Sequence, residues 1–392
     1  HEFARRMELL VLSWLVLQVT DSYFQLGLIL VFNNLPRPIL SLFSGILADR
    51  VNRHHILFVA QLVNTLTVAI ILAIIAIDIE LLKPWHVFLA IAIQGATRAV
   101  EDPSRRTAIM DIVCERRLVN ALSLDVISNT VGKMAGPILG GILLDTVDFS
   151  GAYAVVLAVH TVNLGMISRL RIPSQQTGRL ETPVLRSLGV AITYAVHSPM
   201  LVGMLYVTIV MNAMAFPVQQ FIPAIGRDHL GVGATLVGLL VAADGFGQLA
   251  GAGLMSMTSG VRYHGRVFVA GSVAVMVLTI LFVWSPWYAL AFALLAVGGL
   301  GQSGFSTMQS AITMLAAPQG MRGRMMGLLS FCIGVGTPLG GLEMGALAAA
   351  FTIQIAISAN ILVGLVLIIP VLALTPLVSR PLIQPAPATA ET

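Results

Sequence analysis

Long apolar runs separated by short polar connections follow one another along almost the whole chain. A helix needs about 20 mainly apolar residues to cross roughly 30 Å of hydrocarbon. Twelve runs approach that length: 5–21, 25–48, 55–77, 84–103, 119–144, 150–168, 199–222, 232–256, 266–284, 287–309, 325–347 and 352–374. The first is the weakest, because its apolar stretch from Leu9 to Val19 is short and Arg5, Arg6 and Glu8 precede it. Either the native chain begins further upstream, with His1-Glu2-Phe3 a cloning scar, or the two arginines snorkel to the membrane surface.

The longest polar connection falls between the sixth and seventh runs and divides the chain. The expected organisation is an N-terminal six-helix bundle over 1–168, a cytoplasmic linker over 169–198, a C-terminal six-helix bundle over 199–375 and a disordered tail over 376–392. Inside the linker, Leu188, Ile192, Tyr194 and Ala195 recur at helical spacing, which predicts an amphipathic surface helix. The two halves repeat each other. Gly136-Pro137-Ile138-Leu139-Gly140-Gly141 in the fifth run returns 200 residues later as Gly336-Thr337-Pro338-Leu339-Gly340-Gly341. The fold class expected is therefore an all-α membrane protein with twelve transmembrane helices in two pseudo-symmetric six-helix bundles.

Charge supports the same count. Only 10% of residues are charged and 57% are hydrophobic, too little charge to cover a water-facing surface. Every even-numbered run exits into a basic connection, for example Arg50 and Arg53, Arg105 and Arg106, Arg169 and Arg171, Arg322 and Arg324. Asp21, Asp78 and Asp145 follow odd ones. The positive-inside rule then puts both termini in the cytoplasm. The net charge of +4 comes from separated clusters and argues against nucleic acid. Cys114 and Cys332 lie far apart with no CxxC pair, so no disulfide framework or metal site is expected.

Two stretches point to a family. Gly45-Ile46-Leu47-Ala48-Asp49-Arg50-Val51-Asn52-Arg53 resembles the loop 2-3 signature of the major facilitator superfamily, and Gly132 with Gly136-Pro137 and Gly140-Gly141 resembles its antiporter motif. The wording around both, with Leu12-Ser13-Trp14-Leu15-Val16-Leu17, is most similar to the bacterial drug and siderophore exporters of that superfamily. In the fourth run Gln94-Gly95 fit the pattern, but Ile91 stands where an arginine is expected. The resemblance implies the major facilitator fold, a bacterial inner-membrane location, a small-molecule substrate, proton coupling with no cofactor, and a monomer. It also implies that helices 1, 4, 7 and 10 line a central cavity, flanked by 2, 5, 8 and 11.

Candidate residues follow from chemistry at depth. Gly45, Asp49, Arg50 and Arg53 are read as a cytoplasmic gate, in which Asp49 accepts from a neighbouring arginine or a helix N-terminus; a plain topology anchor is the alternative. The glycines of the fifth and eleventh runs are read as closing the outer vestibule, against ordinary helix packing. Arg37, Lys133 and Asp244 fall near the membrane midplane and Arg98 deeper, where ionisable groups are costly and usually functional. Asp244 is the leading proton carrier, with a permanent ion pair to Arg37 or Lys133 as the alternative. Glu343 and Glu8 rank below it, and His160 is read as structural. Trp14, Gln18, Gln94, Met211, Asn212, Gln302, Ser303 and Ser306 are the candidates for contacting substrate.

The expected function is export of amphipathic small molecules by a proton-driven carrier. An uptake symporter, or a channel or permease subunit driven by a separate ATPase, are the alternatives. The sequence contains no GxxxxGK[ST] phosphate loop, and neither HExxH nor GxSxG.

Overall fold

The computed structural model describes residues 2–36, 40, 52–112, 118–170, 184–257, 263–318, 321–379 and 381, and among them every regular element is helical. In chain order these are α1 (Glu2–Thr20), α2 (Tyr23–Asn34), α3 (Arg53–Ile77), α4 (Pro84–Ile112), α5 (Leu118–Arg169), α6 (Val184–Val196), α7 (Pro199–His229), α8 (Ala234–Met257), α9 (His264–Val283), α10 (Tyr288–Leu315), α11 (Arg322–Ala350) and α12 (Ile353–Leu374). Among the described residues, eight helices are long and apolar enough to cross a membrane: α3, α5 from Ile127, and α7 to α12. The charges Glu2, Arg5, Arg6 and Glu8 interrupt α1, and α4 continues well past residue 103 into a charged end.

The extension of α4 has an electrostatic cause. Arg105 pairs with Asp125 on α5, and Arg98 with Asp102 one turn on, so the polar end of the helix is held by its own partners. The fifth and sixth runs fuse into α5, whose two limbs part only at Val147 and Asp148, where the φ of Asp148 is 56°. The amphipathic helix of the linker is α6, packed against α11.

Large side chains on the outer surface are apolar. Leu66 and Ile70 of α3, Val162 and Met166 of α5, and Val363 and Val366 of α12 are each more than half exposed. Backbone satisfied within helices and an apolar exterior together fit hydrocarbon as the surrounding solvent.

The helix contacts repeat. The α1 helix packs on α5 as α7 packs on α11, and α3 packs on α4 as α9 packs on α10. Two further contacts, α2 with α11 and α5 with α8, join the first half of the chain to the second. The duplicated glycines explain the spacing. Gly140 faces Met7 of α1 and Gly340 faces Ala213 of α7, each within its own half. The next residue turns about 100° around the helix, so Gly141 meets the Ala234 carbonyl of α8 and Gly341 meets Leu30 and Gly27 of α2, across the halves. A Cβ at Gly27 or Gly238 would overlap the facing carbonyl of Gly341 or Pro137. Small residues let these backbones touch.

Candidate functional site

A cavity of about 400 Å³ lies between α1, α2, α4 and α5 on one side and α7, α8, α10 and α11 on the other. The chain builds its two walls differently. The first half contributes the cations Arg6, Arg98 and Lys133 with the amides Asn33 and Asn34; the second contributes Asn212, Gln219, Gln220, Gln302 and Gln309, with Asp244 as its carboxylate. Phe216 and Phe305 add an apolar face, their rings edge to face at 5.4 Å.

Asp244 is the centre of a hydrogen-bonded cluster spanning both walls. Its Oδ2 accepts from Gln248 Nε2 at 2.5 Å and from Gln219 Nε2 at 3.2 Å. Gln219 Nε2 also donates to Gln302 Oε1 at 3.3 Å. On the opposite side, Lys133 Nζ donates to Gln248 Oε1 at 3.4 Å. One amide thus links the lysine of α5 to the aspartate of α8. Arg6 and Arg98 carry their own counter-charges, Glu2 at 3.8 Å and Asp102 at 3.3 Å.

Local helix geometry sets the amides of the second wall. Met211–Ala215 of α7 is a π-helical turn, in which the extra residue per turn re-aims side chains. Asn212 donates to Thr208 O at 2.8 Å and accepts from Thr337 Oγ1 at 3.2 Å. Gln309 holds Thr208 Oγ1 at 2.8 Å.

Hydrogen bonds between the halves gather toward the end of the molecule holding the α1–α2 and α7–α8 turns. Gln220 Nε2 donates to Ser13 Oγ at 2.6 Å, and Arg227 Nη1 to Leu17 O at 2.9 Å. Arg227 also pairs with Asp21, and Tyr23 OH donates to Asp228 Oδ2 at 2.9 Å. The carboxylate of Asp145 on α5 receives the backbone N–H groups of Ala234 and Thr235 at 3.2 and 2.8 Å. The helix N-terminus of α8 is therefore capped by a side chain from the other half.

Of the residues singled out in the sequence, Lys133, Pro137, Arg98, Asp244, Asn212, Gln302 and Ser306 meet at the cavity. Trp14, Gln18, Gln94, Met211 and Ser303 do not, for a helical reason. The face of α1 turned to the cavity is Arg6, Leu9, Leu10 and Ser13, which leaves Trp14 in the core and Gln18 exposed. Met211 and Ser303 sit one position from Asn212 and Gln302, and both are buried in packing. Gln94 turns away to Glu8. Glu343 is exposed on α11. Gly132, Gly136 and Gly140 pack on α1 within one half, so only Gly141, with the carbonyl of Pro137, faces α8. Arg53 opens α3 and is buried, whereas Arg37, Gly45, Asp49 and Arg50 lie outside the described residues.

Comparison with known proteins decides the family. The transmembrane secretion effectors of the major facilitator superfamily match residues 3–385. The chain belongs to that family. It is 25% identical over 366 residues to the enterobactin exporter EntS of Salmonella typhimurium, covering 90% of this chain and 84% of the exporter. The EntS of Citrobacter koseri is 26% identical over 365 residues, with the same coverage. Among solved structures, an aspartate-to-alanine mutant of the nucleoside transporter NupG superposes with a TM-score of 0.75 at 13% identity, covering 95% of this chain and 96% of that one. An occupied bacterial homologue of the lysosomal transporter Spinster gives 0.69 at 15% identity over 98% of each chain. The relatives are membrane transporters, and the chain is a multi-pass membrane transport protein.

Sequence reasoning missed the amides Gln219, Gln220, Gln248 and Gln309, and Arg6. The four glutamines are polar residues within apolar runs, the signal by which they were open to discovery, whereas Arg6 lies in the charged start of α1. It also set Glu8 and His160 aside. These lie together, fully buried, behind α1.

Proposed function

We propose that this chain is a proton-coupled exporter of amphipathic small molecules, working by alternating access between two six-helix bundles. Twelve spans are counted by adding α1, α2 and α4 to the eight apolar helices and reading α5 as two limbs. The reading rests most on one observation: Lys133 and Asp244, from different halves, meet through Gln248 inside a cavity that both halves line. A charged cluster shared across the seam has to change partners when the halves move, which couples charge to conformation. In this state the polar links at the Asp21, Asp145 and Asp228 end support an inward-facing carrier whose outer end is closed, with both termini cytoplasmic by the charge of the connections.

The three cations on one wall, the amides on both and the phenylalanine face favour a substrate with anionic, hydrogen-bonding and aromatic parts. Similarity to enterobactin exporters supports export and siderophore-like cargo, and a location in the bacterial inner membrane. A single chain supplies both walls, so a monomer suffices. Asp244 is the group for which substrate and proton contend.

The test is flux of enterobactin into inverted vesicles containing the purified protein alone. Accumulation when the vesicle interior is acidified supports the exporter. Accumulation only under the opposite gradient would make it an uptake symporter, and flux that needs ATP would remove the carrier reading.

A further inference from the structure

Behind α1, away from the cavity, the first half encloses a second carboxylate. Glu8 has no exposed surface. Its Oε1 accepts from Gln94 Nε2 of α4 at 2.6 Å and from Tyr153 OH of α5 at 3.2 Å. Among the described residues no hydrogen-bond donor reaches Oε2; the near group is His160 Nε2 at 3.7 Å. The other ring nitrogen, Nδ1, lies 3.1 Å from Gln61 Nε2 of α3, which also donates to the His160 carbonyl at 3.0 Å. Four helices therefore fix one acid and one imidazole side by side.

A carboxylate oxygen sealed from water without a donor is costly. One proton held between Glu8 Oε2 and His160 Nε2 removes that cost, whichever atom carries it. Polar side chains continue from the site toward the cavity, around a crevice too narrow to hold water. A narrow crevice beside His160 is lined by Arg5, Asn64, Gln94, Thr97, Arg98 and Glu101, and Arg98 lines the main cavity as well. Among the described residues, the charged and titratable groups facing this region are Arg5 from α1, Arg98 and Glu101 from α4, and Tyr153 with His160 from α5; α3 presents the neutral Gln61, Asn64 and Thr65.

We propose that Glu8 and His160 form a proton-binding site inside the first half, off the substrate cavity and reached from it past Arg98. The site rests on the transport reading for its use, not for its existence. Its occupancy acts on α1, whose Arg6 and Leu9, on either side of Glu8, line the cavity. The site exchanges a proton with cavity water while Asp244 deals with the substrate directly.

The test needs no known substrate. Infrared titration of the purified full chain should show a buried protonated carboxyl band that titrates, disappears in Glu8→Gln, and shifts its midpoint by about one pH unit or more in His160→Asn. Should Glu8→Gln fail to fold, the His160→Asn shift decides alone. A band unchanged in both variants, or none titrating in the wild type, overturns the proposal. In vesicles, Glu8→Gln should carry fewer protons per enterobactin while binding it as tightly as the wild type; an unchanged ratio also overturns it. Wild-type vesicles that carry nothing under a proton gradient would instead count against the exporter reading, with the infrared result standing separately.

Discussion

Asp244 and Glu8 are both carboxylates within apolar helices, yet their surroundings differ in kind. Asp244 stands at the seam, with Gln219 and Gln248 from its own half and Lys133 beyond them from the other. Glu8 is enclosed by side chains of one half, Gln94, Tyr153 and His160. When halves rock as bodies, the first acid loses neighbours and the second keeps them. On the proposed mechanism, the contrast separates the group that reads conformation and substrate from a group that reads only protons.

The largest break is expected at the seam. Asp244→Asn leaves the amides of Gln219 and Gln248 without their charged acceptor and takes away the negative charge beyond Gln248 from Lys133, a loss of about 1.5–3 kcal/mol for a hydrogen bond to a charged group, so flux should fall at least roughly tenfold. Measured in proteoliposomes, flux within twofold of wild type would remove Asp244 from the mechanism. Next comes Gly141→Leu, which drives a side chain into the Ala234 carbonyl. Overpacking of about 1–3 kcal/mol should open the outer end and slow transport, whereas Gly253→Leu, where a side chain meets open space, should not. Equal rates for the two variants would deny the seam its role.

How much of this was legible in the sequence depended on period. The apolar runs located α3 and α7 to α12 closely, because a membrane helix reveals itself by length and composition. The duplicated glycines announced the internal repeat. Their direction was not readable: Gly140 and Gly141 are neighbours in sequence, yet one looks inward to α1 and the other across to α8. The same one-residue ambiguity separated Asn212 from Met211 and Gln302 from Ser303. Identifying the face of an almost uniformly apolar helix requires its neighbours, and a π turn in α7 shifts the phase further. Glu8 seemed weak because it stands near the start of its run; burial beside His160 joins residues 152 positions apart.

Smaller effects sharpen the comparison. Asp145→Ala removes the cap on α8 supplied by α5, worth about 1 kcal/mol, and should shift the balance toward the outward-open state roughly fivefold. Site-directed thiol labelling at the outer end checks it; unchanged labelling would make the cap incidental. Smallest is Tyr153→Phe, which deletes one of the two hydrogen bonds to Glu8 Oε1 at a cost of about 0.5–1.5 kcal/mol. Flux should stay near wild type while its pH profile moves. A profile that stays in place would show that the Tyr153 hydroxyl does not reach the proton.

Alternating access at the outer seam is tested most directly by joining Tyr23→Cys on α2 to Asp228→Cys on α7 with a short, reducible two-thiol reagent, in a chain whose Cys114 and Cys332 are replaced. These positions are bonded across the halves in the present state. The account predicts ready cross-linking, loss of transport, and recovery on reduction. Full transport by the cross-linked protein would contradict it.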